Sequence, residues 1–120
     1  MINHYPINPV SKPRMTRSDK WKKRSIVMKF WAFKDAVREA GVKFPPQGAS
    51  IVFVLEMPKS WSKKKRKRMN GQPHKQTPDL SNLIKGLEDC VYEEDSIIWH
   101  YAGLQKRWGL KGEIVIEEGR

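Results

Sequence analysis

The sequence predicts a small α/β domain built on one mixed sheet, with elements in the order β-α-β-α-β-β. Three observations carry this. Residues 50–57 hold the continuous apolar run Ile51-Val52-Phe53-Val54-Leu55, the pattern of a strand covered on both faces. Residues 25–40 and 79–91 repeat apolar side chains at three- and four-residue steps, the period of a helix packed on one side. Residues 96–107 and 113–118 then read as two strands.

The elements follow in order. Residues 2–7 form a short first strand, confined to a sheet edge by Pro6. A helix over 25–40 buries Ile26, Phe30, Phe33 and Val37 and ends at Gly41. The strand over 50–57 stops at Pro58. Residues 59–75 contain six consecutive cations, Lys63-Lys64-Lys65-Arg66-Lys67-Arg68. They cannot build a core and read as a mobile loop closed by Asn70-Gly71. Of the late strands, the first shows Ile97, Trp99 and Tyr101 on one face. Gly109 and Gly112 suit a hairpin loop to the second, which carries Ile114 and Ile116. At 120 residues the chain is a single domain over 1–120, with 1–24 and 59–76 basic and partly flexible.

Composition narrows the partner. The chain carries 24 basic and 13 acidic residues, a formal charge of +11. Such a balance points to a polyanion, with nucleic acid as the default. No apolar run reaches the roughly 20 residues of a membrane span, and the start lacks a signal-peptide core. A lone cysteine, Cys90, falls on an apolar helical stripe and reads as a core thiol in a cytoplasmic setting. His4, His74 and His100 have no metal-ligand spacing, and His74 reads as a surface residue.

The stretch from Pro78 to Asp95 organises the rest. At about 100° per residue, Leu80, Leu83, Ile84, Leu87, Cys90 and Val91 share one sector. Asp79, Asn82, Lys85 and Asp89 line another. Pro78 marks a sharp start, with Asp79 able to cap the helix. Six of the thirteen acids lie between Asp79 and Asp95. Crowded carboxylates in a basic chain point to a divalent cation. Asp79, at the helix start, and Asp95, at the start of the next strand, can hold it together if that strand lies alongside the helix N-terminus. Lys85 then orients a nucleophile or stabilises charge, and Asn82 positions a water, a carboxylate or a phosphate. Lys12, Arg14, Arg17, Lys63 to Arg68 and Lys75 supply the phosphate contacts. The same face can equally be a solvated helix surface of a non-catalytic nucleic-acid-binding module, or of a ribosomal-type RNA-binding protein.

The run Pro78-Asp79-Leu80-Ser81-Asn82-Leu83-Ile84-Lys85, followed by Asp89 and by Glu94-Asp95-Ser96, resembles the RusA-type Holliday junction resolvases. Their signature is D-L-D-N-L-x-K, a later helix aspartate, and D-D-[SA] opening the next strand. Chain length, the basic loop before the motif, the final hairpin and the early pair Lys12 and Arg14 also match. The resemblance implies a homodimeric, phage- or prophage-type endonuclease. It would cut four-way DNA junctions symmetrically in recombination and repair, with Mg²⁺ or Mn²⁺ and no small-molecule cofactor. By this resemblance Asp79, Asn82, Lys85 and Asp95 are the catalytic set, with Asp79, Asp95 and Asp89 as metal ligands. It places the protein in the cytoplasm of a bacterial or phage-infected cell. Two departures stand out. Ser81 occupies the position of a usual metal-binding aspartate, and the link from Asp89 to Asp95 is shorter than is typical. The alternative expectation is therefore a junction-binding protein with weak or absent cleavage.

Overall fold

A computed structural model of the chain describes residues 1–13 and 24–118. The elements are β1 (Ile2–Tyr5), α1 (Arg24–Glu39), β2 (Ala49–Glu56), α2 (Lys63–Met69), α3 (Leu80–Val91), β3 (Tyr101–Gly109) and β4 (Glu113–Glu117). They build an α/β domain around a mixed four-stranded sheet of order β1-β4-β2-β3.

The core forms where β2 and β4 meet the two long helices. Ala49, Ile51 and Phe53 alternate along β2 with Ile114 and Ile116 beside them on β4, all fully buried. Phe30, Phe33 and Val37 of α1 and Leu83, Ile84, Leu87 and Cys90 of α3 close over this face. Ile26 does not join them; it is exposed and borders the groove at the start of α3 with Asp79 and Asn82, while Met28 and Trp31 are exposed elsewhere on α1. Gly41 at φ 68° ends α1, its N–H bonding Arg38 O while Val42 N–H reaches Val37 O. The opposite sheet face is only half-covered among the described residues: Ser50, Val52 and Val54 are intermediate in exposure. The apolar run of β2 is thus not a sign of two covering layers. Val52 gains its partial shelter from the cross-strand neighbour Val115.

The basic segment is not a loop. Lys63–Met69 is helical, and Ser62 caps it by accepting from the Lys65 N–H at 3.2 Å. Lys and Arg are good helix formers, and the preceding Trp61 ring packs on Trp108 with centroids 4.7 Å apart. Asn70 and Gly71, the latter at φ 81°, close the helix as the turn signal implied.

The last two strands are not a hairpin. Both pair with β2 rather than with each other, β3 parallel to it and β4 antiparallel on its other edge. Residues 110–112 therefore step across the end of β2. At this crossing the Gly109 carbonyl accepts from Met57 N–H at 3.0 Å, and a Cβ there would lie 2.3 Å from Val54 Cγ1. At Gly112 a Cβ would lie 2.8 Å from the Asn8 Cα. The two glycines serve close approach of backbone, Gly109 to β2 and Gly112 to residue 8, not a tight turn. The strand expected from residue 96 also begins later. Asp95–Ile97 forms a 3₁₀ turn. Trp99 N–H bonds Pro46 O, and Gly48 N–H bonds His100 O. These residues are fastened to the 45–48 connector before the ladder starts at Tyr101, which leaves Ile97 and Trp99 exposed.

Because the Asn8 backbone cannot move aside like a side-chain tip, Gly112→Ala is expected to destabilise the fold by about 1–3 kcal/mol, measured as a lower urea midpoint with an unchanged slope.

Candidate active site

The N-terminus of α3 is fixed by backbone. Asp79 is the N-cap residue, and its carbonyl accepts from the N–H groups of Asn82 and Leu83, both at 3.1 Å. Its side chain makes no capping hydrogen bond. The capping expected of Asp79 thus falls to its main chain, and the exposed carboxylate is left for other use. It borders a groove shared with Ser11, Lys29, Leu55, Thr77 and Asn82.

Two features aim this helix start. Residues 10–12 cross α3 at Gly86, where a Cβ would sit 3.1 Å from Val10 O, and Lys12 N–H bonds Asn82 O at 3.2 Å. On the other side Lys106 of β3 sends its ammonium to the carbonyls of Gln76 and of Pro78, the latter at 2.7 Å. Lys106 thus holds the turn that presents Asp79. Sequence reasoning missed it, although a signal exists. Leu104, Lys106 and Trp108 pair with Ile51, Phe53 and Leu55, so a lysine stands in a row that otherwise faces the core.

Asp95 lies elsewhere. Tyr101 donates to Glu88 Oε2 at 2.6 Å near the C-terminal end of α3, whereas Lys106 reaches the residue before its N-terminus. The strand runs alongside the helix, but in the opposite direction. Five residues of strand span about 16 Å. Asp95 precedes Tyr101 and belongs to the far end. There it is one of the charges, after burial and Glu88, that push the Tyr101 phenol above its ordinary range. One chain therefore does not bring Asp95 to Asp79.

The other expected residues are distributed along α3 and its surroundings. Asn82 is half-buried in the groove with Asp79. Lys85 is exposed, about 9 Å further along the helix axis. Ser81 is exposed in the first turn. Asp89 is taken up by cations, with Lys12 Nζ at 3.6 Å and Lys34 Nζ at 4.0 Å. Among the described residues no group of three His, Cys, Asp or Glu side chains is placed to hold a metal. The donors at the α3 start are a carboxylate and a carboxamide, all-oxygen chemistry that suits a hard cation. One carboxylate is within what Mg²⁺ takes from protein, with waters and phosphate completing its shell.

Of the expected phosphate contacts, Lys63, Lys64, Lys67, Arg68 and Lys75 are exposed. Lys65 and Arg66 turn partly inward, with Lys65 Nζ 4.2 Å above the Trp61 ring and Arg66 Nε buried without a partner among the described residues. Arg14 and Arg17 lie outside the described residues. Cys90 is a core thiol as expected, pushed up to about 11 by burial. His74, read as a surface residue, is buried instead. It stacks 4.1 Å from Trp108, and its Nδ1 accepts from Gln76 N–H at 3.4 Å.

The sequence model of the family described as Endodeoxyribonuclease RusA matches residues 6–117. No curated protein and no solved structure matches the chain.

Burial, and then the nearby Lys106 ammonium, hold the His74 imidazole below its ordinary 6.5. An unfolded chain binds the proton near 6.5, whereas the folded one binds it only at lower pH. The contribution is fully present above 6.5 and is lost as pH falls through the folded value. The urea midpoint is therefore expected to decline below about pH 6.5, and His74→Gln to flatten that part of the profile.

Proposed function

The chain belongs to the RusA endodeoxyribonuclease family, and on that premise we propose that it is a metal-dependent endonuclease. In this reading it works as a homodimer that resolves four-way DNA junctions by symmetric cleavage of paired strands. The observation that carries the proposal is the Asp79 carboxylate. It is exposed, uninvolved in capping, and set at a helix N-terminus in a chain of formal charge +11.

In this reading Asp79 is the carboxylate that holds Mg²⁺ or Mn²⁺. When bound, such an ion polarises the scissile phosphate and lowers the cost of forming hydroxide. The chain's own groups do the rest. The first-turn N–H groups of α3 and its dipole favour a phosphate oxygen at this end. Asn82 orients a water or the phosphate, and Lys85 stabilises the extra negative charge of the pentacovalent phosphorus. Lys106 acts as a positioning residue through the Pro78 carbonyl.

Asp95 enters the site from a second copy. What supports this is the separation within one chain, set by the Tyr101–Glu88 and Lys106–Pro78 bonds at opposite ends of α3. Mg²⁺–oxygen bonds are about 2 Å long, so two carboxylates at opposite helix ends cannot share an ion. A two-fold dimer would bring Asp95 of each copy to Asp79 of the other, giving two equivalent sites for two equivalent junction strands. The exposed Ile97 and Trp99 beside Asp95 supply apolar surface for such a contact. The weaker-cleavage reading rests on Ser81, since a hydroxyl in the first turn of α3 is a poorer ligand than a carboxylate.

Asp79→Asn is expected to keep four-way junction binding and lose Mg²⁺-stimulated cutting on a denaturing gel; parental cutting by this variant overturns the proposal. Asp95→Asn is expected to be equally inactive alone. Co-expressed heterodimers of the two variants should regain single-strand nicking at one site but not paired cleavage, while a site built within one chain predicts no recovery. Ser81→Asp is expected to raise cleavage at limiting Mg²⁺ by about tenfold or more, the scale of a metal-site alteration.

A further inference from the structure

The helix α2 divides its charges. At about 100° per residue, Lys63, Lys67, Lys64 and Arg68 occupy one continuous sector, and Lys65, Met69 and Arg66 occupy the opposite one. Exposure follows this division: the first four are exposed and the last three are intermediate. On the inner side Lys65 sits over Trp61, Trp61 packs on Trp108, and the Arg66 Nε is buried. The chain after the helix is then stitched to the outer edge of β3. Gly71 N–H bonds Trp108 O, Trp108 N–H bonds Gln72 O, and His74 N–H bonds Lys106 O, each at 2.9–3.0 Å. These bonds and the stacked rings fix the helix at both ends.

We propose that the outer face of α2, formed by Lys63, Lys64, Lys67 and Arg68, is a rigid contact surface for the phosphates of a duplex DNA arm, with Lys65 and Arg66 holding the helix to the body. This deepens the nuclease reading and rests on it for the choice of DNA. Residues 57–78 contain no acid, and among the described residues no salt bridge ties these four cations to a carboxylate, which leaves the face to an external polyanion. Four cations fall within a helix rise of about 8 Å, close enough to engage neighbouring phosphates of one duplex. The outer sector carries no apolar side chain, unlike a helix that lies in a lipid surface. Its rigidity reduces the ordering entropy a flexible basic loop would lose on binding.

The test is a salt titration of binding, read by fluorescence anisotropy in EDTA, on a four-way junction and on a duplex matching one arm. The quadruple variant Lys63→Gln, Lys64→Gln, Lys67→Gln, Arg68→Gln is compared with the double variant Lys65→Gln, Arg66→Gln, with circular dichroism and Tm measured for each. Each lost phosphate contact flattens the log K against log salt slope by about 0.9. The quadruple variant is expected to keep its Tm and lose about three and a half units of slope on both DNAs. The double variant is expected to keep the slope and lose Tm. A folded quadruple variant with the parental slope, or a double variant that loses as much slope, overturns the proposal. The nuclease reading fails separately, if the parent chain with Mg²⁺ or Mn²⁺ leaves junctions uncut while the slope difference persists.

Discussion

The antiparallel course of β3 along α3 is the constraint on which the rest depends. It is pinned at one end by the Tyr101 hydroxyl on Glu88 and at the other by the Lys106 ammonium on the Gln76 and Pro78 carbonyls. Hydrogen bonds to charged groups contribute about 1.5–3 kcal/mol each, enough to fix both helix ends against the sheet. The first bond keeps Glu88 engaged with a partly buried phenol. The second holds the turn from which Asp79 emerges. The acids therefore cannot gather at one point of a single chain, although the sequence crowds them within seventeen positions.

The crossing of residues 110–112 has a consequence for the same edge of the sheet. Because β4 pairs with β2 and not with β3, β3 has an outer edge with no regular strand against it among the described residues. Residues 71–74 occupy part of that edge, through the Trp108 and Lys106 main-chain bonds and the Pro73–Arg107 bridge. A hairpin between the last two strands would have filled the edge and displaced this segment. The two glycines that allow the crossing thereby allow α2 and the Asp79 turn to be fixed to one strand. His74 is buried at the join, stacked on Trp108 between the basic helix and the lysine latch.

Much of this was legible in the residues. The stripe of α3, the run of β2, the stop at Pro58 and the end of α1 at Gly41 follow from local periodicity and local turn chemistry. The motif around Asp79 also identified the family. What was not legible depends on pairing between distant segments. Gly109 and Gly112 look alike in a hairpin and in a crossing; only the position of Val54 and Asn8 distinguishes them. Lys106 reads as a surface cation until its register opposite Phe53 is known. The basic run hid a helix because its anchor, Trp108, lies forty residues further on. The separation of Asp95 from Asp79 within one chain was hidden for the same reason. Their distance along the chain is short, but the helix between them is straight and separates its own ends.

Charge links the proposed site to the proposed DNA surface. A chain of formal charge +11 repels a free divalent cation, and the acid further along α3 is already shared by Lys12 and Lys34. One exposed carboxylate, even with a second from a partner copy, is a weak trap for Mg²⁺ against that field. Duplex phosphates resting on the outer face of α2 reverse the local sign and bring oxygen ligands of their own. On this reading DNA and metal reinforce each other's binding, and by linkage the reinforcement is equal in both directions. Under the proposed function, the surplus of basic residues would do more than attract substrate: it would keep the carboxylates from gripping an ion until a nucleic-acid backbone is present.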